Sequence, residues 1–331
     1  MKVSVIGGGS WVLALSNVLS NNGHDVLVYD VNKTIVDNVN KLHICYQLDA
    51  IINKDIKATN DMKELINFSD TILFVVPTKV LRIALDSVLQ VIDKPKLFIN
   101  AAKGIEPETF LRVSEIFEEV VPHEYLKGFV ALSGPSHAEE VIKHMTTVLT
   151  CASNNIDDAE FAQNLFHNND YFRVYSSTDV KGVELGGALK NIFALASGLI
   201  AGKGLGDNAR AALITRGLVE MDKFYQHYGA DTKSLYGLTG VGDLIVTCTS
   251  PHSRNYQAGY KIGHGKNLEE TLNSMTMVVE GIRTCEAAYN YAVKYDLDLP
   301  IINAIYQVLY NKMDPENAYQ MLFDRSLKSE H

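Results

Sequence analysis

The first half of the chain alternates short β-branched runs with segments of helical periodicity. This alternation is typical of βαβ units built around a parallel sheet. The pattern predicts strands over residues 3–6, 25–29, 71–76, 97–100, 129–132 and 147–151. The turn sequences GGGS, YDVN, VPT, AAKG and SGPS follow the first five of these strands. Ligands of open α/β sheets bind beyond the carboxyl ends of the strands, so we expect these turns to line one crevice.

From about Thr178 onward the strand signal fades and helical patterns dominate. Helices are predicted in DVKGVELGGALKNIFALASG, ARAALITRGLVEMDKF, TCEAAYNYAVKY and IINAIYQVLYNK. No Pro- or Ser-rich linker separates the halves, so a helix beginning near Thr178 is expected to join them. The length of 331 residues suffices for two cores but is short for three. We therefore predict an α/β Rossmann-type domain with a mostly parallel sheet over residues 1–178, followed by an all-α domain over residues 179–331.

Charge and cysteine usage narrow the class of protein. The formal net charge of -9 leaves no basic face for nucleic acid, so we predict no nucleic-acid partner. The four cysteines are far apart and form no C-x-x-C pair, which favours reduced thiols in the cytoplasm. The longest later apolar run has only 12 residues between Lys190 and Lys203, too few to cross a bilayer. These features predict a soluble, cytoplasmic protein without membrane insertion.

The first predicted strand leads into a glycine-rich turn, Gly7-Gly8-Gly9-Ser10-Trp11-Val12. Gly7 and Gly9 permit a tight turn and close approach of a pyrophosphate, which free N–H groups at the helix start would hold. Val12 stands where the third glycine of G-x-G-x-x-G is expected. The turn, including Ser10 and Trp11, therefore predicts a dinucleotide site, and a turn without a ligand is the alternative.

Asp30 ends the second predicted strand, about 20 residues after the glycine-rich turn, as a dinucleotide site requires. A carboxylate there accepts a hydrogen bond from the ribose 2′-OH and repels a 2′-phosphate, which favours NAD over NADP. Lys33 lies close by and partly offsets that repulsion, so use of both cofactors stays open. The alternative is a solvated turn aspartate.

Lys190 lies on a predicted helix among small and apolar residues. At helical spacing its face also carries Val183, Gly186, Gly187, Phe193, Ala194 and Ser197. A lysine in this setting is buried or lines a cleft, where burial and a neighbouring carboxylate tune it as a proton donor and acceptor. The alternative is a lysine that extends from a core helix to solvent.

Polar residues in three further segments are candidates for ligand contacts. Ser253, Arg254 and Asn255 offer a hydroxyl, a guanidinium fork and an amide, a set that suits a phosphate monoester. Arg254 pairing with a surface acid is the alternative. Lys103 provides a second cation after a predicted strand. Asp243 is presented by flanking glycines, and its alternative is to cap the helix suggested by residues 244–248.

Ser136 and Glu139 have the S-x-x-E spacing of a capping box after the strand predicted at 129–132. Helix initiation therefore explains part of this segment, and a ligand-binding role coexists with it. The ten histidines show no metal-ligand or triad spacing, so we predict no metal site and assign them no chemistry.

Five segments occur in order along the chain: the glycine-rich turn, AAKGIEP at 101–107, LSGPSHAEE at 132–140, VELGGALKN at 183–191 and TGVGDLIVTCTSPHSRN at 239–255, with a VVEG tail at 278–281. With these segments the chain resembles the bacterial NAD(P)-dependent glycerol-3-phosphate dehydrogenase family over essentially its whole length. The resemblance implies hydride exchange between a nicotinamide cofactor and the dihydroxyacetone phosphate/glycerol 3-phosphate pair. It also implies a substrate held between a dinucleotide-binding domain and a helical domain, a homodimer, and supply of glycerophospholipid synthesis.

The resemblance also implies roles for single residues. Lys190 is the catalytic residue. The implied substrate contacts are Lys103, Gly134, Ser136, Asp243, Ser253, Arg254 and Asn255. The implied cofactor contacts are Gly7, Gly9, Ser10, Trp11, Asp30, Lys33, Lys103, Ala138, Arg254, Val278 and Glu280, the last of which closes over the cofactor from the helical domain. Beyond the resemblance, we expect Asp243 to help set the protonation of Lys190.

Two departures from the family pattern stand out: Val12, and Asp30-Val31-Asn32 where many members carry arginine. The nearest alternative function is a related 3-hydroxyacid or 6-phosphogluconate type of dehydrogenase with a catalytic lysine in a helical domain. A non-catalytic nicotinamide sensor that kept the fold is an alternative of a different class. The sensor is disfavoured because it would not need an acid beside the carbonyl, whereas the chain carries the full set of Lys103, Lys190, Asp243 and Arg254.

Overall fold

A computed structural model describes residues 1–275, 277–327 and 329 of the chain. The strands are β1 (Lys2–Ile6), β2 (Asp25–Tyr29), β3 (Ile44–Cys45), β4 (Ala50–Ile51), β5 (Lys57–Thr59), β6 (Thr71–Phe74), β7 (Lys96–Asn100), β8 (Leu126–Ser133), β9 (Thr147–Ala152) and β10 (Phe172–Ser177). All six strands predicted from the pattern are present, with ends displaced by up to three residues.

The α-helices fall into two groups, before and after Ser177. The first group is α1 (Ser10–Asn21), α2 (Lys33–Asp37), α3 (Met62–Phe68), α4 (Leu81–Leu89), α5 (Val113–Val120), α6 (Ala138–Val141) and α7 (Ile156–Phe166). The second group is α8 (Val180–Gly202), α9 (Gly206–Tyr228), α10 (Asp243–Thr249), α11 (Arg254–Gly263), α12 (Leu268–Asn273), α13 (Glu280–Tyr295), α14 (Pro300–Tyr310) and α15 (Pro315–Phe323). We call residues 2–177 the sheet region and the rest, from Val180, the helical region.

Eight of the described strands form one sheet, in the order β10-β9-β8-β7-β6-β1-β2-β5. Neighbouring strands run parallel except β8 and β9, which are antiparallel. The strand order reverses beside β1, because β2 lies on one side of it and β6 on the other. Such a switch point leaves a crevice at the carboxyl ends of the strands. The predicted fold class, a mostly parallel α/β sheet followed by helices, is therefore confirmed.

The pattern missed β5, β10 and the small β3–β4 hairpin. β5 has only three residues, too few to show a period. β10 contains exposed Arg173 and Tyr175 between buried residues and ends in two serines, so it lacks the apolar run of a central strand. Both strands lie at the edges of the sheet, where one neighbour is missing and polar side chains meet solvent.

The helical region is organised around α8. Its N-cap is Asp179, whose side chain accepts a hydrogen bond from the Gly182 N–H, so the predicted helix near Thr178 is confirmed. By length and composition α8 alone among the described helices would suffice to cross a membrane, but 83% of its most apolar window is buried inside the protein. The 12-residue run singled out in the sequence is thus part of a longer core helix. The division into domains at residue 178 stays a prediction.

Glycines let α8 and α11 approach closely. A Cβ on Gly198 of α8 would overlap the backbone oxygen of Tyr256, and one on Gly259 of α11 would overlap the backbone oxygen of Leu195. Backbone atoms on both sides leave no flexible side chain to move aside. This contact packs α11 tightly against the second half of α8. The two helices also carry polar residues of the cleft described below.

Gly198→Ala is expected to lower the free energy of unfolding by about 1–3 kcal/mol, because the methyl group forces the two helices apart. Gly242→Ala is the matched control: its backbone is already helical, and its Cβ would lie 3.6 Å from the nearest backbone oxygen. Chemical denaturation of both variants measures the difference. Equal stability of Gly198→Ala and the wild type would show that α8 and α11 do not depend on this contact.

Candidate active site

A cleft of about 460 Å³ opens between the sheet region and the helical region. Four of the five predicted turns line it, and the YDVN turn does not. Twelve of the residues predicted to contact substrate or cofactor lie on its walls: Gly9, Ser10, Trp11, Lys103, Ser136, Ala138, Lys190, Ser253, Arg254, Asn255, Val278 and Glu280. The predicted site residues thus come together from both the sheet region and the helical region.

The glycine-rich turn connects β1 to α1 at the sheet's switch point. Gly7 has φ +115°, which favours glycine, and a Cβ there would lie 3.0 Å from Val12 Cγ2. Val12, which stands in place of the third glycine, is buried and packs in the core of the sheet region. Gly9 faces open space, and no side chain among the described residues caps the N-terminus of α1. The free N–H groups of α1 therefore fit an anionic group such as a pyrophosphate.

Asp30 lies half-buried directly after β2. Its carboxylate accepts a hydrogen bond of 2.7 Å from the Asn32 N–H. Burial raises the pKa of Asp30, although the backbone N–H groups of Asn32 and Gly8 counteract this. Lys33 is exposed at the start of α2. Neither residue is among those that line the cleft, so their contact with a cofactor stays a prediction.

Asp243 holds two lysines at the floor of the cleft. One carboxylate oxygen, Oδ1, accepts a hydrogen bond from Lys190 Nζ, and the other, Oδ2, accepts one of 2.8 Å from Lys103 Nζ. Lys190 Nζ also donates to Thr247 Oγ1 at 2.9 Å. An ammonium group has three donors, so Lys190 retains one for a ligand in the cleft. We call Lys103, Lys190 and Asp243 the lysine–aspartate cluster.

Two members of the cluster, Lys190 and Asp243, have perturbed pKa values. Burial lowers the pKa of Lys190 to about 8; Asp243 opposes this and the charge of Lys103 adds to it. Burial alone would raise the pKa of Asp243, but the two ammonium groups outweigh burial and hold it below its usual range. The hydrogen bond between Lys190 and Asp243 therefore supports the expected influence of Asp243 on the protonation of Lys190. Asp243 begins α10 without capping it, so the capping alternative is wrong.

Glycines in α8 make room for the cluster. A Cβ on Gly187 would lie 2.7 Å from Ser133 Oγ and 3.4 Å from the side chain of Lys103. A Cβ on Gly186 would overlap the backbone oxygen of Thr239, just before α10. The small stripe around Lys190 thus lets β8, the Lys103 loop and the start of α10 converge on one helix. Lys190 does not extend to solvent, which excludes the alternative weighed for it.

The SGPS turn after β8 supports Lys103. Gly134 has φ +137°, and its carbonyl oxygen accepts hydrogen bonds from Lys103 Nζ at 3.2 Å and Ser136 Oγ at 3.0 Å. The predicted capping box of Ser136 and Glu139 is wrong. His137 is the N-cap of α6, the Ser136 hydroxyl turns back to Gly134, and Glu139 forms an ion pair elsewhere.

The start of α11 presents the SRN segment to the cleft. Ser253 is the N-cap, and its oxygen accepts a hydrogen bond of 3.2 Å from the Tyr256 N–H. Arg254 Nη2 donates to Glu139 Oε1 of α6 across the cleft. The pairing of Arg254 with an acid, weighed as an alternative, is thus present, but inside the cleft.

Asn255 connects three helices of the cleft wall. Its Nδ2 donates to Asn191 Oδ1 on α8 at 2.9 Å, and its Oδ1 accepts from the Gly281 N–H on α13 at 2.8 Å. One amide hydrogen remains for a ligand. The side chain therefore orients the start of α11 and also reaches the cleft.

Glu280 connects the helical region to the sheet region. Its carboxylate accepts hydrogen bonds from the Thr78 N–H at 3.2 Å and from Thr78 Oγ1 at 2.9 Å, just after β6. Burial raises the pKa of Glu280, and the two Thr78 hydrogen bonds oppose this. Val278, two residues earlier, is exposed at the mouth of the cleft. Glu280 thus bridges the two regions through Thr78, and its expected contact with the cofactor stays a prediction.

Sequence reasoning missed several residues of the cleft. Thr247 follows Asp243 by four residues, a helical spacing that a closer reading of the motif would have shown. Asn191 follows Lys190 directly. His137 and His252 also line the cleft, with ring centroids 5.8 Å apart, although no histidine spacing pointed to them. Burial lowers the pKa of His137, and the charge of Lys190 adds to this effect.

The assembled cleft combines three chemical capabilities. The N-terminus of α1 accepts an anionic cofactor group, the lysine–aspartate cluster donates or accepts a proton, and Arg254 with Ser253 offers a phosphate site. Within residues 1–275, 277–327 and 329, no group of three or more His, Cys, Asp or Glu side chains is placed to hold a metal ion. The four cysteines are free and buried.

Comparisons with known proteins point to one family over nearly the whole chain. Residues 2–159 match the model of the NAD-dependent glycerol-3-phosphate dehydrogenase N-terminus, and residues 179–320 match that of its C-terminus. A Staphylococcus carnosus glycerol-3-phosphate dehydrogenase [NAD(P)+] is 49% identical over 99% of both chains. One from Acholeplasma laidlawii is 48% identical over 100% of this chain and 99% of its own. The crystal structure of glycerol-3-phosphate dehydrogenase from Coxiella burnetii superposes with a TM-score of 0.91 at 32% identity, covering 98% of this chain and 99% of that one.

Asp243→Asn is expected to lower the pKa of Lys190 below about 8, because the carboxylate is the group that favours the ammonium form against burial. NMR titration of ¹³C-labelled lysine side chains measures this pKa. Asp231→Asn, which removes an exposed carboxylate at the N-cap of a short helix outside the cleft and keeps a capping oxygen, is the control and should leave the titration unchanged. An unchanged or higher pKa in Asp243→Asn would contradict the assigned role of this contact.

Proposed function

The chain belongs to the NAD-dependent glycerol-3-phosphate dehydrogenase family, and we propose that it interconverts dihydroxyacetone phosphate and sn-glycerol 3-phosphate with a nicotinamide cofactor. The observation that carries this proposal is the lysine–aspartate cluster. It places a lysine with a pKa of about 8 in a cleft that also holds an anion-binding helix start and an arginine. Reduction of a ketone phosphate needs these three elements together.

The cofactor fits the sheet region. We propose that Gly7, Gly9, Ser10 and Trp11 bind its pyrophosphate at the start of α1, where the open face of Gly9 lets the backbone approach. We assign further cofactor contacts to Lys103, Ala138, Arg254, Val278 and Glu280. When bound, the nicotinamide supplies or accepts the hydride at C2 of the substrate.

The substrate fits between the cluster and α11. We propose that Arg254, Ser253 and the remaining amide hydrogen of Asn255 hold the phosphate, since a guanidinium fork and a helix N-terminus both favour that anion. Lys103, Gly134 and Ser136 would hold the glycerol end. Asp243 is 1% exposed and bonded to both lysines, so we propose that its main role is to position them. A direct contact of Asp243 with the substrate is secondary to that role.

Lys190 is the proposed proton donor and acceptor. Its third N–H is free for the substrate oxygen, and burial brings its pKa near neutral pH, where a general acid and base is effective. During reduction Lys190 transfers a proton to the oxygen on C2, and Asp243 and Thr247 keep its nitrogen in place. No step of this scheme calls for a metal ion, and that remains a prediction.

Several finer properties belong to the same proposal. We propose that NAD is preferred over NADP because of Asp30, although Lys33 lies close by. We also propose a homodimeric, cytoplasmic protein without membrane insertion, divided into domains at residue 178, that supplies glycerophospholipid synthesis. The related hydroxyacid dehydrogenases and the nicotinamide sensor are not favoured, because relatives similar over their full length carry the glycerol-3-phosphate dehydrogenase name.

Lys190→Met is expected to lower kcat for dihydroxyacetone phosphate reduction by about 10²–10⁴-fold, because the general acid is lost. Absorbance decay of the reduced nicotinamide measures the rate, and fluorescence titration checks that NADH still binds. Lys181→Met is the matched control: Lys181 lies on the same helix, but is exposed and bonded to the Tyr228 carbonyl. Wild-type turnover by a folded Lys190→Met protein would overturn the proposed mechanism.

The pH dependence of the same assay has a defined sign. Reduction uses the protonated lysine, so its kcat/KM, which reports groups of the free enzyme, should fall as pH rises through about 8, and kcat/KM for oxidation of glycerol 3-phosphate should rise over the same interval. If the rates of reduction and oxidation did not change in opposite directions with pH in the wild type, Lys190 would not be the group that titrates.

NADH is expected to have a lower KM than NADPH, and Asp30→Asn should lower the KM for NADPH relative to NADH by about tenfold, as for a like-charge contact of about 1.4 kcal/mol. Steady-state assays with both cofactors measure the ratio. Asp25→Asn, at the opposite end of β2, is the matched control. A wild-type preference for NADPH, or an unchanged ratio in Asp30→Asn, would refute Asp30 as the selecting residue.

A further inference from the structure

Glu139 forms an ion pair with Arg254 across the cleft. Glu139 belongs to α6 in the sheet region, and Arg254 begins α11 in the helical region. Both side chains are largely shielded from solvent, with 20% and 25% of their surfaces exposed, and both line the cleft. Salt screens a partly buried pair less than one at the open surface.

The position of Arg254 explains why an acid is attracted to it. Arg254 is the first residue of α11, where the helix dipole adds positive charge to that of the guanidinium. Ser253 caps the helix through its oxygen and contributes no negative charge. An anion is therefore favoured at this point of the cleft, and Glu139 supplies it in the protein without ligands.

A phosphate group bound by Arg254 conflicts with this pair. The carboxylate of Glu139 occupies one terminal nitrogen of the guanidinium fork, which a phosphate needs for a bidentate contact. If Glu139 stayed in place, a dianion and a carboxylate would lie side by side in a cleft of reduced dielectric constant. A bound phosphate therefore requires Glu139 to leave Arg254.

We propose that Glu139 is a positioning residue that holds Arg254 in the free protein and is displaced by the phosphate group of the incoming ligand. The inference rests on the proposed function, because it takes Arg254 as a phosphate contact. Glu139 thereby weakens phosphate binding and favours dianionic ligands over neutral ones, since only a strong anion replaces the carboxylate. It also links ligand entry to the contact between α6 and α11.

The phosphate could belong to the substrate or to the cofactor, because Arg254 is assigned to both. Both sources would present a phosphate group to Arg254, and titrations with different ligands distinguish them. Inorganic phosphate and dihydroxyacetone phosphate report on the substrate position, and NADH reports on the cofactor position.

Glu139→Gln tests the inference, with Glu140→Gln as matched control. Glu140 is the next residue of α6 and carries the same charge without pairing with Arg254. Calorimetric titration with inorganic phosphate and with NADH gives affinities without turnover. Steady-state assays give KM and kcat for dihydroxyacetone phosphate.

We expect Glu139→Gln to tighten phosphate binding or NADH binding by about two- to fivefold relative to Glu140→Gln, the range for a partly exposed ion pair. If phosphate is the ligand that responds, KM should fall with kcat within about twofold. Tightening of either ligand supports the proposal and identifies the source. Equal or weaker binding of both, or no phosphate and no NADH binding by any form, overturns it, and Glu139→Ala repeats the test should the glutamine variant not fold.

Failure of the proposed function is a separate result. It would appear as absent turnover of dihydroxyacetone phosphate by the wild type. The comparison of phosphate and NADH affinities between the two variants would still decide whether Glu139 controls the anion site.

Discussion

The structure depends on one buried carboxylate between two ammonium groups. Burying a charge is costly unless it is paired, and Asp243 is paired on both oxygens, with Lys103 and Lys190. One negative and two positive charges leave an excess positive charge directed at the cleft. That excess keeps the Asp243 carboxyl ionised and favours an anionic ligand, whereas burial is the main cause that lowers the pKa of Lys190. In the proposed function, the same three residues therefore account for ligand charge and for proton transfer.

The cluster also joins the two regions of the chain. Lys103 follows β7 in the sheet region, while Lys190 and Asp243 lie on α8 and α10. Two further polar contacts cross the cleft at other points, Thr78 with Glu280 and Glu139 with Arg254. Together with the cluster, these contacts hold the two walls of the cleft against each other. Hydride transfer depends on distance and orientation, so these contacts are part of the site as much as the groups that touch ligand.

The sequence predicted the fold class and most of the cleft, because both follow from local signals. Strand–helix alternation, the glycines before α1 and the SRN segment at the start of α11 can all be recognised from a few neighbouring residues. Partners distant in sequence were not readable. The spacing of Ser136 and Glu139 suggested a local cap, but Glu139 pairs instead with Arg254, 115 positions later. Thr78 and Glu280 are 202 positions apart, and only the fold brings them together.

Structural and binding roles coincide at the start of α11, and this coincidence has a physical advantage. Ser253 caps the helix, and Asn255 bonds to Asn191 on α8 and to the backbone of α13. The glycine contact between α8 and α11 fixes the same helix from behind. In the proposed function, a phosphate site built from these residues is largely ordered before the ligand arrives, so little conformational entropy is lost on binding. Arg254 is the long, flexible member of the set, and its ion pair with Glu139 restrains it. Glu139 therefore orders Arg254 but also competes with the phosphate, and the proposed displacement of Glu139 implies that the competition is the larger of the two effects.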